Sequence, residues 1–278
     1  MRILTTLVLF LCSFVVWGAV DDEFPGRKLY HDVSVFSLDD LGKKHENVNV
    51  VDVRTPYEFE TIHIKNAVNI PLSRGDFVKQ IAALRKENDK PIVFYCNGHT
   101  CFKSYKAARK AQVFGVTGVH SFDAGVFDWA NAHPDKTVLL GKSPIDTSKL
   151  ISKKSFKSKL ISPKEFEEKV KSGKYFVIDV RSRIQRSAMG LFPFTEKWAS
   201  LDDNEKLKDL LEQAKAEKKG LLIYDNVGKQ VSWLEYRLRD MGITDYLFMQ
   251  GGAEEYFVHL QTKENAVVIP KNLLELSK

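Results

Sequence analysis

The sequence predicts an α/β protein made of two similar domains in tandem, each a mainly parallel sheet flanked by helices. The first observation is a repeat. Val48-Asn49-Val50-Val51-Asp52-Val53-Arg54 is echoed by Tyr175-Phe176-Val177-Ile178-Asp179-Val180-Arg181 at an offset of 127 residues (179 − 52). Pro91-Ile92-Val93-Phe94-Tyr95-Cys96 is echoed by Gly220-Leu221-Leu222-Ile223-Tyr224-Asp225 at 129 (225 − 96), and 122–129 by 249–256 at 127 again (252 − 125). The second observation is the size of that offset, which is a whole domain rather than a solenoid repeat. The third is the alternation, inside each copy, of helical patterns with short β-branched runs. Apolar runs this continuous suit strands buried on both faces of a parallel sheet.

The length of 278 residues fits about two domains of about 150 each, and 44% hydrophobic content excludes a disordered or fibrous chain. Residues 1–19 read as a secretory signal peptide: Arg2 precedes an apolar run, and Gly18 and Ala19 precede Asp21 and Asp22. As an uncleaved anchor, 3–20 would barely reach spanning length, so the membrane enters only through this segment. Export would make the protein periplasmic or secreted. Cys12 leaves with the signal, and Leu11 stands where a lipid-attachment site needs a small residue. Only Cys96 and Cys101 then remain, too few for a disulfide-stapled scaffold, so their role is chemical. The net charge of +6 is spread among mixed Lys/Glu segments rather than gathered in a stripe, which argues against nucleic acid as a partner.

The first domain is placed at 28–140. Its helices include Phe77–Glu87 and 104–114, whose Ala107, Ala108 and Ala111 allow close packing on the sheet and which Gly115 ends. A linker at 141–157 follows, where Ser, Lys, Pro and Thr replace periodic apolar positions; the lysines of 149–159 read as solvated. The second domain is placed at 158–278, with a long polar helix over 197–219 carrying Leu207, Leu210 and Leu211 on one stripe.

Cys96 ends a buried strand and opens the loop Asn97-Gly98-His99-Thr100-Cys101-Phe102-Lys103 ahead of a helix. Ligands of open α/β sheets collect at the carboxyl ends of strands, where helix N-termini aim N–H groups outward. A thiol there is stabilised as thiolate, the nucleophilic form, and His99 and Lys103 add positive charge. The alternative is a small buried hydrophobe without chemistry.

At this point the sequence resembles the rhodanese family. The first copy shows Val51-Asp52-Val53-Arg54-Thr55-Pro56-Tyr57-Glu58-Phe59, His63-Ile64, Ala67-Val68-Asn69-Ile70-Pro71, the strand into Cys96, and Gly125-Val126-Phe127-Asp128-Trp129, covering 45–130. The resemblance implies two tandem rhodanese-like domains with a parallel five-stranded sheet in each. It also implies a sulfurtransferase that moves sulfane sulfur from a small anionic donor such as thiosulfate to a thiol or cyanide through a Cys96 persulfide. Cys96 is then the catalytic residue, and Asn97, Gly98, His99, Thr100, Cys101, Phe102 and Lys103 form the substrate-binding loop. Asp52 and Arg54 pair or hold loop backbone near the strand ends, and Glu58 and His63 fix the loop that follows them.

The departures define the open points. The helical alanines fall about two residues later than the family's six-residue loop would put them, and the loop matches neither thiosulfate nor mercaptopyruvate users, which leaves the donor open. Phosphatases of related fold need an arginine at the place of Phe102, so phosphoryl transfer and arsenate reduction are disfavoured. Cys101 is either a resolving or redox partner of Cys96 or an accessory loop residue. The former suggests a second reading, a periplasmic thiol-disulfide or sulfur-delivery protein with a protein sulfur acceptor or reductant. No His cluster has metal-ligand spacing, and neither metal nor cofactor is inferred. In the second copy Asp225 replaces the cysteine and cannot hold sulfane sulfur. That domain is read as silent, covering the first and shaping one wall of the cleft; a ligand on Asp225, Lys229 and Arg181 is the less favoured alternative.

Overall fold

Val, Ile, Phe and Tyr in unbroken runs form strands here because both faces of each sheet are covered by helices. The computed structural model describes residues 23–186 and 190–265. In chain order its strands are β1 (Asn49–Asp52), β2 (Ile62–Ile64), β3 (Val68–Asn69), β4 (Ile92–Tyr95), β5 (Val119–Phe122), β6 (Thr137–Leu139), β7 (Leu160–Ile161), β8 (Tyr175–Asp179), β9 (Glu196–Trp198), β10 (Gly220–Tyr224) and β11 (Tyr246–Met249). The chain divides into two compact units, Met1–Arg54 with Asn66–Ala132, and Thr55–Lys65 with His133–Lys278. The signal segment lies outside the described residues.

The first unit holds a parallel sheet of order β3-β1-β4-β5. The expected fifth strand is reduced to one parallel bridge, Val35 with Ser121, flanked by hydrogen bonds from Phe36 N to Ser121 O and from Ser121 N to Ser34 O. It stops there because Ser37 turns the chain into helix Leu38–Lys44, its hydroxyl accepting from the Asp40 amide at 3.0 Å. Helix Phe77–Glu87 has the predicted bounds, and helix Lys103–Val113 lies one residue earlier than predicted. Ala107, Ala108 and Ala111 are fully buried, on a core with Val51, Phe94 and Phe77. Gly115 ends that helix with φ of 80°, a left-handed cap that suits glycine.

The second unit holds a five-stranded parallel sheet of order β7-β11-β10-β8-β9. Replacing β7 by the Val35 bridge, this is the same order as in the first unit, so the sequence repeat is a repeat of topology. The unit also includes the antiparallel pair of β2 with β6, Ile62 opposite Leu139 and Ile64 opposite Thr137, and this pairing groups 55–65 with later residues.

The long helix expected over 197–219 is shorter than that: Glu196–Trp198 is strand β9, and the helix is Asn204–Ala216. Parallel pairing with β8 claims the first residues, and the Asp203 side chain then accepts from the Lys206 amide and sets the start. Leu207, Leu211 and Ala214 are its buried stripe, with Leu210 at the margin. In the segment read as a linker, Ser152 caps a short helix, Lys153–Lys157, whose lysines are exposed.

Candidate functional site

Cys96 follows directly on β4, an inner strand of its sheet, and seven residues further on (103 − 96) helix Lys103–Val113 begins. Its side chain is 1% exposed. The backbone turns there because Gly125, at the start of helix Gly125–Ala132, packs flat against the loop: a Cβ on Gly125 would stand 2.3 Å from the Gly98 amide nitrogen. Gly125 has φ of 72°, so both space and conformation require glycine. Val126 N donates to Cys96 O at 3.0 Å and ties the same helix to the base of the loop.

Cys96 and Cys101 are joined in a disulfide, with Cα atoms 6.4 Å apart. Cys101 is half-buried, and its amide donates to Gly98 O at 2.7 Å, closing the loop on itself. The Cys96 sulfur also lies 3.1 Å from the Cys101 carbonyl oxygen. A disulfide sulfur carries no proton, so that contact becomes a hydrogen bond only in the reduced form, where the thiol donates.

Asp52 and Arg54 are both fully buried and form a bidentate pair, with Arg54 Nη2 donating to Oδ2 at 2.5 Å and Nε to Oδ1 at 2.9 Å. Arg54 Nη1 reaches Asn97 Oδ1 at 3.3 Å, so the pair also holds the loop beside Cys96. Burying both charges is tolerable because Asp52 takes the guanidinium and the Arg54 amide, while Arg54 takes Asp52 and the Asn97 side chain. Glu58 is spent differently from the expectation. Its carboxylate accepts from the Thr55 amide at 3.0 Å in a capping box on helix Pro56–Thr61, while His63 Nδ1 meets Phe59 O at 2.7 Å.

His99 Nε2 lies 2.7 Å from Asp128 Oδ2, and Nδ1 lies 3.6 Å from Glu23 Oε1. The Phe24 ring packs on the imidazole, with centroids 4.2 Å apart. Arg27 and Tyr105 converge on Asp123 at 2.8 and 2.5 Å, and Tyr30 stacks on Tyr105. Thr100 and Lys103 are exposed, and Phe102 is half-buried near Tyr30. Glu23, Phe24 and Asp128 therefore shape the loop without having been singled out as site residues. Asp128 stood in the Gly125-to-Trp129 landmark, but only three-dimensional contact assigns it to His99.

The second unit repeats the frame. Arg181 pairs with Asp179 at 2.7 Å, as Arg54 does with Asp52, and lies over Tyr224 as Arg54 lies over Tyr95. Burial, and then the Asp179 carboxylate, push the Tyr224 hydroxyl well up, so it keeps its proton and donates a hydrogen bond to Glu196. At the end of β10 the Asp225 carboxylate accepts from the amides of Val227 and Gly228 on Oδ1 and of Gln230 and Val231 on Oδ2. Ala253 N donates to Asp225 O, the counterpart of Val126 and Cys96. Asp225 is turned into its own loop, while Lys229 is exposed. No group of three or more His, Cys, Asp and Glu among the described residues has the arrangement of a metal site.

A cysteine at the end of an inner parallel strand, on a loop leading into a helix, stands where open α/β sheets collect their ligands. Residues 37–132 match the model of the Rhodanese-like domain family. The thiosulfate:glutathione sulfurtransferase of Saccharomyces cerevisiae is 27% identical over 138 residues, 44% of this chain and 98% of that protein. The tRNA uridine(34) hydroxylase of Salmonella arizonae is 33% identical over 82 residues; these are 29% of this chain, and the chain spans only 23% of that relative's length. A thiosulfate sulfurtransferase from Pseudomonas aeruginosa superposes with a TM-score of 0.38 at 18% identity, over 82% of this chain and 42% of that one, a likeness that carries no argument.

Proposed function

We propose that the protein is a sulfurtransferase carrying sulfane sulfur on Cys96. The observation that carries this reading is the position of Cys96: the base of a strand-loop-helix turn, inside the stretch that matches the rhodanese-like domain. With the disulfide reduced, the Cys96 thiolate attacks the outer sulfur of a donor such as thiosulfate. The donor's S–S bond breaks, sulfite leaves with the electron pair, and the sulfur remains as a persulfide. An acceptor thiolate or cyanide then takes the outer sulfur and returns Cys96. Asn97, held by Arg54, and His99, held by Asp128, fix the loop around the reacting sulfur. The leading apolar segment supports export, so the reaction belongs in the periplasm or outside the cell.

The test is the intact mass of the reduced protein after exposure to thiosulfate, read before and after cyanide. A gain of about 32 Da, absent from Cys96→Ser and removed by cyanide, is expected of a cysteine persulfide; a Cys96→Ser protein that transfers sulfur as well as the wild type would overturn the reading. The Cys96–Cys101 bond favours a second reading, a thiol-disulfide protein in which the pair cycles with a protein partner and no sulfane sulfur is held.

A further inference from the structure

We propose that Cys101 is the resolving thiol of this site, releasing the carried sulfur as hydrosulfide and making a dithiol, rather than cyanide or a single thiol, the natural reductant. The inference rests on Cys96 carrying a persulfide as set out above, and it adds the fate of that sulfur.

Two features of the loop carry it. Cys101 reaches the Cys96 sulfur within the loop, where its amide is already bonded to Gly98 O. A Cα separation of 6.4 Å lies inside the range that disulfides span without backbone movement. An internal thiol held this way competes with any external acceptor at a high effective concentration. The second feature is the unequal burial of the two sulfurs' residues, Cys96 1% exposed and Cys101 half-buried. An external thiolate attacks the more accessible sulfur, that of Cys101, and expels the Cys96 thiolate into its place at the end of β4.

The steps balance. The Cys101 thiol gives up its proton and its sulfur attacks Cys96 Sγ of the persulfide; the bond between Sγ and the outer sulfur breaks, and that sulfur leaves as HS⁻ with the proton. The product is the Cys96–Cys101 disulfide, the state of the structure. One thiolate of a dithiol then forms a mixed disulfide at Cys101, and its second thiol displaces Cys101, leaving two cysteine thiols and an oxidised dithiol. Across the cycle the sulfane sulfur is reduced by two electrons and the dithiol is oxidised by two. With thiosulfate as donor the products are sulfite and hydrosulfide. A neighbouring reaction must therefore regenerate a dithiol, and another must consume hydrosulfide.

The experiment uses the full chain, reduced, freed of reductant and kept anaerobic, then given thiosulfate or, separately, glutathione persulfide without any added thiol. For the wild type with thiosulfate we expect equal amounts of sulfite and hydrosulfide and a protein mass about 2 Da below the reduced chain, the signature of a closed disulfide. Cys101→Ser and Cys101→Ala should release sulfite alone and keep about 32 Da on Cys96, removable by cyanide. A wild type that keeps the added sulfur and releases no hydrosulfide overturns the resolving role and leaves the sulfurtransferase reading standing. Hydrosulfide release by the Cys101 variants at the wild-type rate does the same. Failure of Cys96 to load from either donor, in the wild type and in both Cys101 variants, removes both.

Discussion

The loop after β4 and the loop after β10 sit on the same frame and hold opposite kinds of group. Each follows an inner parallel strand beside a strand ending in a buried Asp-Arg pair, and each is pressed by a glycine that opens the helix after the following strand, Gly125 in one and Gly252 in the other; the sequence directly after each loop forms a helix of its own. The helix begins seven residues after Cys96 and six after Asp225 (103 − 96 and 231 − 225). In the second loop a fixed carboxylate takes four backbone amides. In the first, the residue at that place is a cysteine bonded to a second cysteine. Duplication has kept the scaffold and changed the side chain at the head of the loop from cysteine to aspartate. In the second loop these four amides are occupied by the loop's own side chain.

The largest effect that would break this comparison is on activity. Cys96→Ser should lower sulfur transfer by at least about 1,000-fold, as removal of a nucleophile does, while Asp225→Ala should leave it within about two-fold. Steady-state assays with thiosulfate and cyanide decide this, and an Asp225→Ala protein as impaired as Cys96→Ser would show that the second loop takes part. Next come the buried pairs. Arg54→Ala takes the arginine from the buried Asp52 carboxylate and should destabilise its unit by about 3–5 kcal/mol in urea unfolding, whereas Arg181→Ala leaves Asp179 still paired with Arg186 at 3.2 Å and should cost less. Arg54→Ala, and not Arg181→Ala, should also slow transfer, since Arg54 bonds the Asn97 side chain.

The glycines give a smaller contrast. Gly125→Ala drives a Cβ into Gly98, and Gly252→Ala drives one to 2.5 Å from Asp225 O. Each forces a positive-φ position as well, for a loss of about 1–3 kcal/mol in thermal or urea unfolding, with transfer reduced only by Gly125→Ala. Smallest is the pH dependence of Asp225. Burial raises its carboxyl above the ordinary 3.8, against the lowering pull of the amides. Folding therefore favours the protonated form, and the stability this adds is present below the ordinary value and lost as pH rises through the folded one. Thermal midpoints of the wild type should fall relative to Asp225→Asn as pH rises from about 4 toward neutral; parallel curves for the two proteins would rule the effect out.

The frame was legible because a buried parallel sheet writes itself into sequence as unbroken apolar runs, and two copies of the same runs remove ambiguity. Helix Phe77–Glu87 was legible for the same reason: an apolar stripe with Phe77 and Ile81 buried. Strand β9 was not. It is three residues long, Glu196, Lys197 and Trp198, with no buried residue, and only its register against β8 distinguishes it from the polar helix that follows. The fifth strand of the first sheet, which the resemblance implied, is cut to a single bridge at Val35 by the Ser37 cap. Within the site, Cys96, the Asp52–Arg54 pair and the substitution by Asp225 could be read from residue type and place. The clasp on His99 could not, because Glu23, Phe24 and Asp128 come together only through long-range folding.

That clasp reaches back almost to the end of the segment read as a signal. Glu23 and Phe24 touch His99, Arg27 is anchored on Asp123, and Gly26 lies so close to Tyr105 that a Cβ there would stand 2.3 Å from the ring. An exopeptidase that trimmed the chain past Phe24 would strip His99 of its aromatic cover and of one carboxylate while leaving every loop residue in place. The surroundings of the Cys96 loop thus rest on residues 23–27 as well as on the loop's own sequence.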